Sequence, residues 1–252
     1  MKRIPTFLLF SIILAVWITP EGVLAKRLYN VQVGKGEAVV TYLEGEAQVL
    51  PGGKQTWWVL KEQAALKAGD DIYVGRKSRL EITFADRSRL RFAEDTRLHL
   101  VAAGGAGGDA DVKIHLAVGR AWAKVSKMAG MGRKFEIASN NAVTGVRGTV
   151  YRMNVNPDAS ALVRVYEGEV AVTGVPASRA AATALGPPTK VAGPQKIAGP
   201  RKVTREEWTV IIRSMQQIAI RADGSADRPR EFSEAEDRDD WVDWNKDRDR
   251  AF

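Results

Sequence analysis

Short runs in which apolar and polar residues alternate fill residues 36–174, and residues typical of turns separate them. The clearest run is 79–92, RLEITFADRSRLRF, where apolar residues stand at every second position on both sides of the turn sequence ADRS. Successive side chains of a β-strand point to opposite faces of the sheet, so this run predicts a hairpin with one buried face and one solvated face. The region as a whole predicts an all-β fold, a single sandwich-like or roll-like domain of about a dozen short strands.

Glycines in this region support two further predictions. Residues 102–110, AAGGAGGDA, contain too many glycines to hold one conformation cheaply, so they predict a surface loop. No Lys-Ser or Lys-Thr pair follows this loop, which argues against a phosphate-binding role. In the strand predicted at 118–125, Gly119 indicates a bend or bulge, and we expect Trp122 to be buried.

Residues 175–203 differ in composition from the β region. They are rich in proline, alanine and glycine and contain the related pentapeptides KVAGP and KIAGP. This composition predicts a semi-rigid linker. The alternative is that Val191 and Ile197 mark two edge strands that return to the β domain.

Residues 204–220 have the pattern of an amphipathic helix. Thr204 and Glu207 have the spacing of a capping box, and apolar residues then recur three or four positions apart from Trp208 to Ile218. We expect this helix either to pack its apolar stripe on the β domain or to dock it on a partner. Its polar face is not strongly cationic, which argues against binding to a membrane surface.

Residues 221–252 are dense in aspartate, glutamate and arginine and have few large apolar groups. This composition predicts disorder, or a short fraying helix from Ser233. The two tryptophans of the tail could anchor a partner, although a solvated terminus needs no such role. Together with the helix, the candidate docking residues are Trp208, Ile211, Ile212, Met215, Trp241 and Trp244.

Residues 1–25 have the layout of a secretory signal peptide. Lys2 and Arg3 precede an apolar run at 4–18, and Val23 and Ala25 suit the groove of signal peptidase. The alternative is an uncleaved anchor helix, but the run is shorter than the roughly 20 residues that span a bilayer. We therefore expect cleavage after Ala25, a periplasmic or secreted protein, and no stable membrane span after cleavage. Since the chain has 0 cysteines, disulfides and a lipid-modified cysteine are excluded.

An arginine face is the strongest candidate for ligand binding. The formal net charge of +8 permits an anionic partner. Arginines at alternating positions of the predicted hairpin share its solvated face, and others lie close in sequence. These candidates are Arg79, Arg87, Arg89, Arg91 and Arg97. The face could bind carboxylate or phosphate groups of an envelope glycan, or it could be a solubilising surface that prevents sheet edges from pairing. Export argues against nucleic acid as a partner.

The sequence has no arrangement typical of catalysis or of cofactor binding. His99 and His115 lie in alternating strands without the spacing of a metal site or a catalytic triad. Carboxylates such as Asp70 with Asp71, or Glu94 with Asp95, lie at predicted turns, where we expect them to cap the backbone. We therefore predict no catalytic residue, no metal and no cofactor, and expect that the protein is not an enzyme. An envelope hydrolase would need two convergent carboxylates in a deep pocket.

Residues 141–156, NAVTGVRGTVYRMNVN, predict a strand that crosses a crowded part of the β core. In this interpretation Arg147 is a structural pin whose guanidinium binds carbonyl or carboxylate groups. Gly148 lets a neighbouring strand approach. We expect the stretch to stabilise the fold, while ligand binding lies elsewhere.

Several motifs of residues 36–174, taken in order, resemble the FecR domain family, the periplasmic domain named after the ferric-citrate sensor. They are GEAQVL, the segment with Trp57 and Trp58, LKAGDDIYVGRKSRLEITFADRSRLRF, LAVGRAWAKV, VTGVRGTVYRMNV and VYEGEVAVTG. The most specific positions are Val146, Arg147, Gly148, Thr149, Glu167 and Gly168.

The resemblance implies the fold of an exported β domain but no particular activity. In sensor members an anti-sigma segment and a transmembrane helix precede this domain and a receptor-docking module follows it. The sequence contains none of these, so we expect a stand-alone exported FecR-like module for protein–protein interaction, signalling or assembly in the cell envelope, with an envelope protein as partner. The alternative is a module that binds peptidoglycan or another anionic glycan through the arginine face.

Overall fold

The computed structural model describes residues 38–104, 111–127, 134–174 and 208–251. These residues form 17 β-strands and one α-helix. The strands are β1 (Ala38–Glu44), β2 (Ala47–Leu50), β3 (Trp58–Val59), β4 (Ala65–Leu66), β5 (Asp71–Val74), β6 (Arg79–Thr83), β7 (Arg89–Phe92), β8 (Thr96–Ala103), β9 (Val112–Lys124), β10 (Phe135–Ala138), β11 (Ala142–Val146), β12 (Val150–Val155), β13 (Ala161–Glu167), β14 (Glu169–Gly174), β15 (Thr209–Arg213), β16 (Gln216–Ile220) and β17 (Arg230–Glu231), and the helix is α1 (Asp240–Arg250). The predicted signal peptide, the predicted linker and most of the predicted glycine-rich loop lie outside the described residues.

The strands form two sheets that have β9 in common. Sheet A has the order β3-β2-β5-β8-β9-β10-β11-β14-β15. Sheet B has the order β4-β1-β6-β7-β9-β12-β13-β16-β17. Among these described strands, the pair β9–β10 is parallel and the other pairs are antiparallel. Inward side chains of both sheets form one apolar core, which confirms the predicted all-β domain.

Strand β9 crosses from sheet A to sheet B at Gly119. Before the crossing β9 pairs with β8 and β10, and afterwards it pairs with β7 and β12. Its inward positions change from even to odd numbers, as Ile114 before the crossing and Ala121 after it show. Gly119 has a φ of +112°, and a Cβ at this position would lie 2.6 Å from the Cα of Thr96. The predicted bend at Gly119 is therefore confirmed, and glycine is required there.

The predicted hairpin is formed by β6 and β7. The pair Ile82 and Leu90 points into the core, as the alternation requires. On the other face, however, the pair Glu81 and Arg91 is also buried. The prediction of a solvated outer face is wrong at the centre of this hairpin, because another part of the chain covers it.

The prediction of a helix at 204–220 is wrong for residues 208–220, the part of this segment that the structure describes. Residues 209–213 form β15 on sheet A and residues 216–220 form β16 on sheet B, with a turn at Met215, whose φ is +61°. Val210 and Ile212 contact the core while Ile211 between them is exposed. The apolar residues thus fit a strand period as well as a helical one, and the β-branched run TVII favours the strand.

For residues 221–252 the sequence predicts either disorder or a short helix from Ser233. In the described part, residues 221–251, the first alternative is wrong, and a helix is present that begins at Asp240. Helix α1 lies on the outer face of sheet B, where Trp241 and Val242 pack against Trp122 and Ala93. Contacts with distant strands, mostly made by charged side chains, hold the C-terminal segment on sheet B. The composition of the segment alone does not predict such contacts.

Candidate functional site

A row of polar side chains crosses the outer face of sheet B beneath the C-terminal segment. Each member lies opposite the next in the strand register, from β6 to β16. The row consists of Glu81, Arg91, Trp122, Arg152, Arg164 and Gln217. The charged side chains of this row are buried or nearly buried, so each requires a partner of opposite charge.

Arg91 lies near one end of this row and is 0% exposed. Its Nε donates a hydrogen bond to Oε2 of Glu81 at 2.6 Å. Its Nη1 donates to Oδ1 of Asp249 at 2.7 Å and to the carbonyl oxygen of Asn245 at 3.3 Å. Arg248 also reaches Glu81, with 3.3 Å between Nη2 and Oε1. Helix α1 is therefore bound to the hairpin through buried ion pairs.

The ionised form of Glu81 is stabilised by these contacts. Burial acts to raise the pKa of Glu81, but hydrogen bonds from Arg91, Arg248 and Thr41 outweigh burial and leave the pKa below its usual value. A buried carboxylate that stays charged next to Arg91 is a structural element of the fold.

Asp237, from the C-terminal segment, binds the two arginines in the other half of the row. Its carboxylate accepts hydrogen bonds from Arg152, Arg164 and Tyr166. The distance from Arg152 Nε to Asp237 Oδ2 is 2.8 Å, and the Asp237 side chain is only 3% exposed. Burial raises the pKa of Tyr166, and the hydrogen bond to Asp237 raises it further, so the phenol remains a donor. One carboxylate of the C-terminal segment thus binds two strands of sheet B.

The start of α1 is held by Asp239. Its Oδ1 accepts a hydrogen bond from the backbone nitrogen of Val242 at 2.8 Å, and its Oδ2 accepts one from Arg120 Nη2 at 2.6 Å. Arg120 also lies over the ring of Trp241, with 4.4 Å from the guanidinium carbon to the ring centroid. The cap and the cation–π contact together fix where the helix begins on the sheet.

The prediction that the five arginines form one solvated face is wrong. Arg91 is buried in the row, and Arg79 pairs with Glu44 at 3.6 Å and lies over the ring of Trp244. Arg97 belongs to sheet A, on the opposite side of the domain. The alternation placed the hairpin arginines on one face of their strands, but it could not show that α1 covers that face.

Arg87 and Arg89 remain close to each other at the hairpin end. They line a groove that also contains Lys124 and Lys127, and Gly148 lies at its edge. The ammonium group of Lys124 donates a hydrogen bond to the carbonyl oxygen of Asp249 at 2.7 Å, so it is tied to the C-terminal segment. The structure therefore brings together two of the five predicted ligand arginines, beside one of the predicted signature glycines.

The predicted family signature forms two adjoining turns. Val146 ends β11 and Thr149 precedes β12, so the chain turns here and does not cross the core as a strand. Gly148 has a φ of +64° and Gly168 a φ of +83°. A Cβ on Gly168 would lie 3.1 Å from the carbonyl oxygen of Gly148, so glycine is needed where the two turns meet.

The two charged members of the signature are exposed. Glu167, at the end of β13, is exposed. Arg147 is exposed as well, and within the described parts of the chain its guanidinium has no hydrogen bond or ion pair. Arg147 therefore lies on an exposed turn and not in the β core, so the interpretation of it as a pin in the core is wrong. The neighbours of Gly148 are Lys127 and the turn at Gly168, not the strand that was expected.

Most of the residues that were predicted to dock on a partner pack against other residues of this chain. Trp241 lies edge-on to Trp122, with 6.2 Å between ring centroids, and Trp244 lies 5.5 Å from the ring of Tyr42. The other candidates belong to the β15–β16 region: Trp208 packs against the core, Ile212 is in it, and Met215 forms a turn. Ile211, in contrast, is exposed on the outer face of sheet A.

The outer face of sheet A carries the exposed large apolar side chains of the described residues. They are Trp57, before β3, Val101, on β8, and Ile211, on β15. Helix α1 packs on the opposite sheet. The two faces of the domain therefore differ: sheet B is covered by the C-terminal segment, while sheet A presents apolar side chains to water.

Two of the carboxylates that were predicted to cap turns do so, whereas Asp71 lies in β5 and contacts His99. Asp70 accepts hydrogen bonds from the backbone nitrogens of Lys67 and Gly52, and Glu94 accepts one from that of Lys77. Within the described ranges, no group of three histidine, aspartate or glutamate side chains could hold a metal ion. None of the described helical residues makes a span long and apolar enough to cross a membrane.

Comparison with known proteins identifies one family. Residues 70–171 match the family model described as FecR protein. No curated protein matches the chain. Two similar solved structures, at 1.65 Å and 2.50 Å resolution, are each described as a "putative anti-sigma factor" from Parabacteroides distasonis ATCC 8503. Their sequence identities to this chain are 16% and 15%, with TM-scores of 0.44 and 0.45. Each match covers 65% of this chain and spans 60% of the other.

Proposed function

Because residues 70–171 form a FecR domain, we propose that the protein is a non-enzymatic FecR-like module for protein–protein interaction, signalling or assembly in the cell envelope. We propose that it works in the periplasm or outside the cell, as the layout of residues 1–25 predicts. Its partner in this proposal is another envelope protein. The carboxylates that could have served chemistry support a non-enzymatic role, since Asp70 and Glu94 cap turns and Asp237 binds structural arginines.

The observation that carries this proposal is the apolar character of sheet A. Trp57 is 44% exposed, Val101 50% and Ile211 43%, and all belong to the same side of the domain. Ile211 lies at the β15 end of sheet A, away from Trp57, and no element of the described residues covers it. An exposed apolar side chain of this kind can bind an apolar group of a partner protein. Next to Ile211 in the register are Ala171 and Gly145, so a partner can approach the backbone closely there.

A pull-down from gently solubilised envelope extracts tests the proposal. Tagged full-length protein should capture a partner, and Ile211→Glu should reduce that capture at least fivefold, because it places a charge in an apolar contact. Ala222→Glu is the matched control, since it adds the same charge on an exposed turn beside sheet B. Capture of no protein by the unaltered chain, or equal capture by the two variants, would contradict a partner on sheet A.

A further inference from the structure

We infer that sheet A also carries a binding groove for a saccharide with a carboxylate group. The groove has a volume of about 480 Å³ and its floor is formed by β2, β5, β8 and β9. It lies toward the β3 end of sheet A, whereas Ile211 lies at the β15 end. The inference is separate from the protein partner proposed above and concerns a different ligand.

One row of the floor presents oriented hydrogen-bonding groups. Asp71, His99 and His115 lie opposite one another on β5, β8 and β9. His99 Nδ1 is 2.9 Å from Asp71 Oδ1, and His115 Nε2 is 3.0 Å from Asn140 Oδ1. Each imidazole is thus held through one nitrogen, and within the described residues the other nitrogen has no hydrogen-bond partner. These free nitrogens can bind the hydroxyl groups of a sugar.

A second row supplies a positive charge in a fixed position. Gln48, Tyr73 and Arg97 lie opposite one another on β2, β5 and β8. The hydroxyl of Tyr73 donates to Asp95 Oδ1 at 3.3 Å, which fixes the ring. The guanidinium carbon of Arg97 lies 5.3 Å from the centroid of that ring, and the side chain remains exposed. A guanidinium oriented in this way presents paired N–H donors that fit a carboxylate.

Trp57 lines the groove and provides an apolar surface in water. The face of an aromatic ring is electron-rich, and the C–H groups on one side of a sugar ring are weakly positive, so the two stack favourably. The groove also contains the carboxylate of Asp71, which lies in the other row and is paired with His99. An aromatic face, oriented polar groups and the exposed Arg97 therefore suit a sugar whose single carboxylate lies at the Arg97 row. The side chains of polyglutamate could bind Arg97, but they have neither hydroxyl groups for the histidine nitrogens nor a ring face for the indole.

Titration calorimetry on the full-length protein tests this inference. The probes are trigalacturonate, soluble peptidoglycan fragments, a neutral trisaccharide and polyglutamate. We expect at least one of the two acidic saccharides to bind tenfold or more tightly than the neutral one, and the tighter of the two identifies the source of the ligand. Polyglutamate should bind no better than the neutral sugar. No binding of either acidic saccharide, or equal binding of polyglutamate, would overturn the inference.

Variants assign the contributions of Trp57 and Arg97. Trp57→Ala should weaken binding of the acidic saccharide at least tenfold, and Arg97→Gln should remove the preference for it over the neutral sugar. Both residues are exposed, so neither variant should unfold the protein. Arg228→Gln, at an exposed position away from sheet A, is the control and should bind like the unaltered chain. Unchanged binding by Trp57→Ala would overturn the assignment of this groove, while leaving a protein partner near Ile211 unaffected.

Discussion

Replacement of Asp237 by alanine is expected to lower the free energy of unfolding by about 3–5 kcal/mol, because it leaves buried arginines without their carboxylate. Arg152 and Arg164 share this carboxylate, and Tyr166 donates to it. For a domain of this size the melting temperature should fall by on the order of 10 °C. Differential scanning calorimetry on the purified full-length chain measures the change.

Asp227→Ala is the matched control for this prediction. Asp227 also pairs with an arginine, Arg221, but their side chains are 48% and 61% exposed. Solvent screens such a pair, so its loss should cost less than about 1 kcal/mol. Equal losses of stability in the two variants would mean that Asp237 does not hold the C-terminal segment on sheet B.

Arg91→Ala should have an effect of similar size, about 3–5 kcal/mol, because Glu81 and Asp249 would lose the cation that they share. Arg97→Ala is the control from the other sheet. Since Arg97 is exposed, its replacement should change the free energy of unfolding by no more than about 0.5 kcal/mol. Urea unfolding followed by circular dichroism distinguishes the two variants.

A double variant separates the loss of charge pairing from the loss of volume. Arg91→Met leaves Glu81 buried without its main partner, whereas Arg91→Met combined with Glu81→Leu removes both charges. Replacing a buried ion pair by apolar side chains can be neutral, so the double variant should be more stable than Arg91→Met alone. An Arg91→Ala protein as stable as the unaltered chain, but with impaired glycan binding, would instead restore the arginine face as a ligand site.

Local patterns in the sequence predict much of the β domain. The alternation at Ile82 and Leu90 identifies the core face of the hairpin, because strand periodicity is a property of the backbone itself. Gly119 marks the crossing of β9, because a glycine inside a strand indicates a bend or a close approach. The family resemblance at residues 146–149 is likewise a local feature, and the family match covers it.

Local patterns left two elements undecided: the strands at 209–220, and helix α1, for which the tail composition allows either disorder or a short helix. Apolar residues from Trp208 to Ile218 satisfy both a helical and a strand period, and pairing with β13 and β14 decides between them. Helix α1 depends on contacts with distant strands, such as Asp249 with Arg91. One signal was available, since Trp241, Asn245 and Asp249 recur four residues apart and thus share one helical face.

The candidate sites depend on strand register, which a single sequence does not reveal. The sequence groups Arg97 with the hairpin arginines, because it does not reveal which strands lie side by side. In the structure its neighbours are Tyr73 on β5 and His99 on the same strand face. Asp237 was missed altogether, because a carboxylate in a charged tail has no local feature that shows it to be buried.

Site-specific photo-crosslinking in intact cells tests most directly whether sheet A is the interaction face. A photoreactive amino acid is placed at position 211 on sheet A and, separately, at position 222 on the turn beside sheet B. We predict that irradiation yields a discrete adduct with another envelope protein from position 211 and none from position 222. No adduct from position 211, or the same adducts from both positions, would contradict the account.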